Sequence, residues 1–405
     1  MNHRFAGEVG EVPLGRRNRR RSGIWGSKGR FGVDRHETTS ALAGATWPAE
    51  SVLGALPPAG RGPGRPTVVP DGAPSTGAAA SRAPFLAADV GGTHARLALM
   101  APGSGAGGPV VQAYRIFRCG EHASFAAIVR AFLDGLAMRP RELVLACTGC
   151  AHEGVLINES LPWRIEPAAL AAELRLDEVH LINDFVALTH AAPYIDTARS
   201  PVLHTAARAA STPGPIVVVG PGTGLGAAVR LPGSPPVVLP SEAGQMQLAA
   251  RVGREQDVMR LLADRDAHIS YEAVLSGPGV LRVYEALCRE QGKAPACAEP
   301  AAVTAAAIAG SDPRARETLD LFCGWLGSFA GDLAMLYQAT GGIYLAGGFL
   351  SRIAGYVRAS SFVERFLDKG VMRPFLHNVP VRVVDHGQLG VIGAASWYLD
   401  QPARH

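Results

Sequence analysis

Long apolar runs are missing. No stretch of 18 or more consecutive apolar residues occurs in the 405-residue chain, so hydropathy predicts no membrane-spanning helix. Cysteine is sparse. Six cysteines, at 119, 147, 150, 288, 297 and 323, are too scattered for a disulfide scaffold and point to a reducing compartment. Cys147-Thr-Gly-Cys150 is a lone C-x-x-C. Structural zinc needs a second pair, and His152 alone does not supply it. A redox pair opens a helix, whereas this one ends a strand-like run from Glu142. No G-x-x-x-x-G-K-[ST] loop exists, which excludes the P-loop class. Arginines at 16, 17, 19, 20 and 21 are followed by no apolar core, so no secretion signal is expected.

The body also lacks excess positive charge. Residues 1–83 hold 12 of the 39 Lys/Arg and 6 of the 35 Asp/Glu, which leaves the remaining residues slightly acidic. The body therefore gives no footprint for nucleic acid. The same 1–83 segment has 14 Gly and 8 Pro with little periodicity. It is expected to be a disordered tail or untranslated sequence upstream of the true start, with nucleic-acid binding by a basic tail as the alternative.

What is present begins at Phe85. The run Phe85-Leu-Ala-Ala-Asp89-Val-Gly91-Gly92-Thr93-His94-Ala-Arg96-Leu-Ala-Leu99 reads as strand, tight turn, strand. Glycines at such a bend let backbone N–H groups approach a phosphate, and an adjacent aspartate can hold magnesium through water. An ordinary Gly-Gly hairpin with a turn-capping aspartate fits the segment equally well.

Helices are predicted at 124–138, 167–175, 254–265, 279–290, 313–339 and 389–399, and strands at 142–147, 179–182, 215–219, 342–346 and 379–384. The alternation implies a sheet with parallel strands and helical crossovers. No short-period repeat occurs. Each half nevertheless opens on a strand ending in a glycine-rich turn, which suggests two related α/β domains with a cleft between them.

The second turn, Gly220-Pro-Gly222-Thr223-Gly224-Leu-Gly226, matches G-x-G-x-x-G/A over 222–227, with Glu242 twenty residues on. A dinucleotide site needs a helix directly after the loop. Residues 227–238 carry three prolines and a glycine, so a second hairpin is expected instead. Ile182-Asn183-Asp184-Phe185 ends an apolar strand in a carboxylate, where open α/β sheets place ligands. Such an aspartate can take a proton from a substrate hydroxyl; taken alone, Asp184 reads better as the N-cap of a helix at 185–190. Glu242 and Glu272 each adjoin a small-residue turn. They suit sugar hydroxyls, or as isolated glutamates they are solvated surface. Leu275-Ser-Gly-Pro-Gly279 and Ala346-Gly347-Gly348 are further candidates for close approach to a nucleotide.

Five motifs (Asp89-Val-Gly-Gly-Thr93, Ile182-Asn-Asp-Phe185, Gly220-x-Gly-Thr-Gly-Leu-Gly226, Leu275-Ser-Gly-Pro-Gly279 and Leu345-Ala-Gly-Gly348) stand in the order and spacing of the bacterial ATP-dependent glucokinases, and the chain resembles that family over residues 84–400. The resemblance implies a two-domain, actin-like ATPase fold (ribonuclease H-like), each domain a mixed sheet flanked by helices. The small domain would hold 84–194 plus 386–405, the large one 195–385. It implies Asp184 as the base for the sugar 6-hydroxyl, and Asn183, Glu242, Gln245 and Glu272 as sugar binders. Asp89 would be the magnesium-associated acid. Gly91, Gly92, Thr93, Gly222, Thr223 and Gly224 would be phosphate holders, and Gly347 and Gly348 would lie in the adenosine segment. ATP and Mg2+ are the implied cofactors, glucose the implied substrate, the cytoplasm the implied location and a homodimer the implied assembly. The chain departs from the pattern at His94 (usually Asn), Ala243 (usually Gly), Gln245 (usually His) and Thr148 (usually Pro). A kinase for another hexose, or a weakened, sugar-sensing relative, is the alternative. The zinc-type cysteine cluster of the repressor/open-reading-frame/kinase group is absent, which favours the glucokinase branch.

Overall fold

The computed structural model describes residues 82–103, 108–152, 155–157, 161, 163–208, 212–263 and 268–401. The expectations for the basic tail therefore fall, up to residue 81, outside the described residues.

β1 (Phe85–Val90) and β2 (His94–Ala101) form the expected hairpin, in a register running from Phe85↔Met100 to Val90↔Ala95. β1 is buried along its whole length, as a central strand covered on both faces must be. β3 (Val110–Arg118) pairs with β2 at the sheet edge. Only Phe117 of this strand is buried, so no clean alternation announced it in the sequence. α1 (Phe125–Leu133) is capped by Ser124, whose Oγ accepts the Ala127 N–H at 3.1 Å; it stops short of the expected 138, just before Gly135. β4 (Glu142–Cys147) follows, then the separate ribbon of β5 (Cys150–His152) and β6 (Val155–Ile157), α2 (Pro167–Leu174) and β7 (Glu178–Asn183). The first sheet runs β3-β2-β1-β4-β7, with β1, β4 and β7 parallel.

After α3 (Asp184–His190) and the short β8 (Val202–His204), the pattern repeats. β9 (Ile216–Pro221), β10 (Leu225–Leu231) and β11 (Val237–Ser241) form an antiparallel meander. Four helices follow: α4 (Arg254–Ala263), α5 (Gly277–Glu290), α6 (Pro300–Ala309) and α7 (Pro313–Leu336). β12 (Gly342–Ala346) then pairs in parallel with β9. α8 (Gly348–Ala359), α9 (Phe362–Leu367) and α10 (Arg373–Leu376) lead to β13 (Val381–Val384), parallel to β12, and the described chain closes with α11 (Leu389–Asp400). The second sheet runs β11-β10-β9-β12-β13-β8. Each sheet is thus a three-strand meander whose first strand continues into parallel partners, the mixed α/β architecture expected from the glycine turns.

The large core gathers around α7, where Phe322, Trp325 and Phe329 are fully buried. By length and composition α7 could cross a bilayer, although no 18-residue apolar run exists in the sequence; 72% of its most apolar window is buried inside the protein, so its hydropathy belongs to this core. α11 packs on the first sheet, placing Val391, Ala394, Ala395 and Tyr398 against Phe85, Ala87, Ala98 and Met100.

Candidate functional site

Parallel register brings the carboxyl ends of three strands into line. Asp89 is level with Ala146 and Ile182, and Val90 with Cys147 and Asn183. Asp89 and Asp184, nearly a hundred residues apart in sequence, therefore lie at the same carboxyl end of the sheet, on either side of β4. Open α/β sheets place ligands at such strand ends.

The helix cap falls to Asn183, not to Asp184. Asn183 Oδ1 accepts the N–H groups of Phe185 at 2.9 Å and Val186 at 3.1 Å, and Nδ2 donates to the Gly149 carbonyl at 3.2 Å. This corrects the cap reading of Asp184. Asp184 is the first residue of α3, and its Oδ1 also accepts the Phe185 N–H, at 2.9 Å. Burial pushes its carboxyl up to about 7, with the negative charge of Asp89 adding to the shift. A carboxyl that titrates near neutrality is suited to exchanging a proton with substrate.

Asp89 itself is buried, at 4% exposure. Its Oδ2 lies 3.3 Å from Arg96 Nη1 and 3.6 Å from Nδ1 of His386. Cys147 is buried beside the pair, and its thiol is raised to about 12 by burial, then by Asp184 and Asp89. A thiol held protonated is a poor nucleophile and a poor redox partner. Among the described residues no group of three His, Cys, Asp or Glu side chains could hold a metal by itself.

The glycines divide into two kinds. A Cβ added at Gly222 or Gly348 would meet nothing within 4 Å, and one at Gly91 would only reach the His94 carbonyl at 4.0 Å. None of these three has positive φ. The fold does not demand glycine there, so the space is open to a ligand. By contrast, a Cβ at Gly244 would lie 2.3 Å from the Leu225 carbonyl, so packing requires glycine there, and one at Gly224 would lie 2.6 Å from Glu272 Oε2, so the Glu272 carboxylate would have to shift. The first turn is braced by Cys119, whose N–H donates to the Thr93 carbonyl at 2.9 Å and whose thiol donates to the Gly91 carbonyl at 3.3 Å. The second turn is braced by Leu275-Ser-Gly-Pro-Gly279: Ser276 caps α5, and the Gly277 N–H donates to the Gly222 carbonyl at 2.8 Å. α8 opens on Gly347 with no side-chain cap, which leaves its first N–H groups available to an acceptor.

Glu272 ties the 222–226 turn to the Gly244–Gln245 turn. Its Oε2 accepts the Leu225 N–H at 2.7 Å, and its Oε1 accepts Gln245 Nε2 at 3.0 Å. The Glu272 N–H donates to the Gly244 carbonyl at 2.8 Å. Gln245 thus acts on Glu272 directly, at the position where the family usually carries histidine.

A cleft of about 550 Å³ runs between the two sheets' strand ends, a size that takes a metabolite-sized ligand. Of the candidate residues, Asn183, Asp184, Gly222, Thr223, Gly224, Glu242, Glu272 and Gly347 line it. Gln245 reaches it through Glu272, and Asp89 through His386 and its charge on Asp184. Gly91, Gly92, Thr93 and Gly348 are not among the lining residues. Sequence reasoning did not single out Phe185, Ser241 or His386, which also line the cleft. His386 follows β13 in an irregular stretch and had no motif to mark it.

Comparison with known proteins points to one family. The Glucokinase family profile matches residues 86–401. A glucokinase-like protein of Xylella fastidiosa is 44% identical over 322 residues, covering 79% of this chain and 96% of its own. A glucokinase of Saccharophagus degradans is 36% identical over 320 residues, covering 78% and 98%. The solved glucokinase of an Antarctic psychrotroph superposes with a TM-score of 0.69 at 34% identity, covering 78% of this chain and 99% of that one. A profile match over most of the chain, and relatives at 44% and 36% identity aligned along nearly their whole length, show that the chain belongs to the glucokinase family and is a sugar kinase.

Proposed function

We propose that the protein transfers the γ-phosphoryl group of ATP to the 6-hydroxyl of glucose, giving ADP and glucose 6-phosphate as a first step of glycolysis. The observation that carries this reading is the carboxyl of Asp184, lining the cleft at the start of α3 while Asn183 takes over the capping of that helix. The sugar oxygen bonds to the γ-phosphorus as the bond from phosphorus to the bridging oxygen breaks, and the hydroxyl proton passes to Asp184. Phosphoryl transfer demands mainly positioning and charge stabilisation. The N–H groups of Gly91 and Gly222 already donate to the His94 and Gly224 carbonyls, so the next residues of each turn, Gly92, Thr93, Thr223 and Gly224, would offer backbone N–H groups to phosphate oxygens. Glu242, Glu272 and Asn183 would hold sugar hydroxyls, with Gln245 orienting Glu272. Gly347 and Gly348 would adjoin the adenosine.

The donor set suits magnesium, which takes one or two carboxylates and fills its shell with phosphate oxygens and water. Asp89 would hold the ion through water, where it would offset the phosphate charge. The same reading carries a cytoplasmic, homodimeric enzyme acting on small molecules rather than on nucleic acid or membrane.

The test is a coupled assay with ATP, magnesium and a panel of hexoses. ADP release with glucose preferred is expected; glucose binding without ADP release from any hexose would sink the kinase reading. A second expectation concerns Glu272, both of whose oxygens already accept hydrogen bonds. Glu272→Gln turns an NH2 toward one of those donors, and an unmet hydrogen bond costs about 1–3 kcal/mol. Steady-state kinetics should show the KM values for sugar and for ATP rising together by roughly tenfold, because the residue also braces the 222–224 turn. A rise for sugar alone would show that the brace is dispensable.

A further inference from the structure

Phe185 is tied to both sides of the cleft. Its backbone N–H donates to Asn183 Oδ1 and to Asp184 Oδ1, at 2.9 Å each. Its ring lies across the β9–β10 ladder at the paired glycines Gly220 and Gly226. A Cβ on Gly226 would stand 2.0 Å from Phe185 Cδ2, and one on Gly220 2.7 Å from Cζ. No side chain fits at either position while the ring is there. These two glycines flank the Gly222–Thr223–Gly224 turn. Leu188, Val218, Ala346 and Val384 complete the apolar seat. The glycine at 226 thus serves the aromatic ring, the one at 220 makes room both for the ring and for the Ala346 carbonyl, 2.8 Å from a Cβ placed there, and the one at 222 leaves its space open.

We propose that Phe185 is a positioning residue for phosphoryl transfer: its ring, seated on Gly220 and Gly226, sets the spacing between the Asp184 carboxylate and the 222–224 turn. The proposal rests on the kinase reading above. Reacting groups must be held within a fraction of an ångström, and a displacement of about 1 Å costs roughly 10²-fold in rate. A ring that touches both strands, on a residue whose own N–H holds the base, transmits any displacement of the sheet to that base.

The test is a double-mutant cycle on kcat and KM. Gly226→Ala should lower kcat by roughly 10–100-fold, with the KM values for sugar and ATP within about threefold of the parent's, since substrate binding survives while alignment fails. In a Phe185→Ala background the same glycine change should lower kcat by less than about twofold, because the ring it collides with is gone. Phe185→Leu, which keeps the N–H and much of the packing, should lower kcat about tenfold and serves where Gly226→Ala does not fold, as judged by its melting curve. Parental kcat in both Gly226→Ala and Phe185→Leu, equal loss from Gly226→Ala in the two backgrounds, or loss confined to KM would each overturn the ring's role while leaving the kinase reading intact. An unmodified protein that turns over no hexose would overturn both.

Discussion

Asp184→Asn will lower kcat by about 10²–10⁴-fold, the usual contribution of a positioned general base, and will leave sugar and nucleotide binding close to parental. The amide keeps the shape of the carboxyl and cannot take the proton. In the unmodified enzyme the base must be ionised, so kcat/KM should rise with pH through the limb set by a carboxyl near 7 and level off above it. The same substitution should stabilise the fold. Unfolded, this carboxyl has its ordinary value of 3.8; folded, it is raised to about 7. The folded state therefore holds the proton more tightly. That advantage is full below about pH 4 and is lost as pH rises to 7, so above neutrality the ionised group is a liability of roughly 2–4 kcal/mol. The variant should melt above the parent at pH 8 and level with it at pH 4. Turnover within threefold of the parent would remove Asp184 from the mechanism; a constant difference in melting temperature from pH 4 to 8 would remove the burial argument.

The second large effect lies far from the cleft. Arg365 on α9 and Glu255 on α4 form a buried pair, with side chains 7% and 11% exposed. Glu255 Oε2 also accepts the Trp325 indole N–H and the Arg251 backbone N–H, at 2.9 Å each, and Arg365 Nη2 at 3.3 Å. Arg365→Met leaves the carboxylate buried with its cation gone, which typically costs about 3–5 kcal/mol. For a body of this size the melting temperature should fall by roughly 5 °C, read by thermal or urea denaturation. A shift under about 1 °C would show that the pair adds nothing to the core. The network fixes α4 and α9 on α7, the helix at the centre of the large core, so kcat in the remaining folded protein should change little.

Local patterns were readable because their physics is local. The hairpin at Asp89, the strand leading to Asp184 and the core helix from Pro313 each announce themselves within a dozen residues, through glycine at a bend or apolar spacing. The edge strand Val110–Arg118 escaped because Phe117 alone among its side chains is buried, so no clean alternation marks it. The helix after Gly347 escaped because it opens on glycine without a capping side chain.

Residue order alone makes this an α/β chain with two glycine-turn halves, marks Asp89, Asp184, Glu242 and Glu272 as its candidate carboxylates, and sets its motifs in the order of one kinase family. Tertiary structure alone decided which residue caps α3, that Gln245 acts on Glu272, that His386 stands by Asp89, and that Gly220 and Gly226 make room for Phe185. The reason is distance along the chain. Asn183's capping competes with its neighbour's through backbone geometry, and every other one of these contacts joins residues that only strand register and sheet packing bring together.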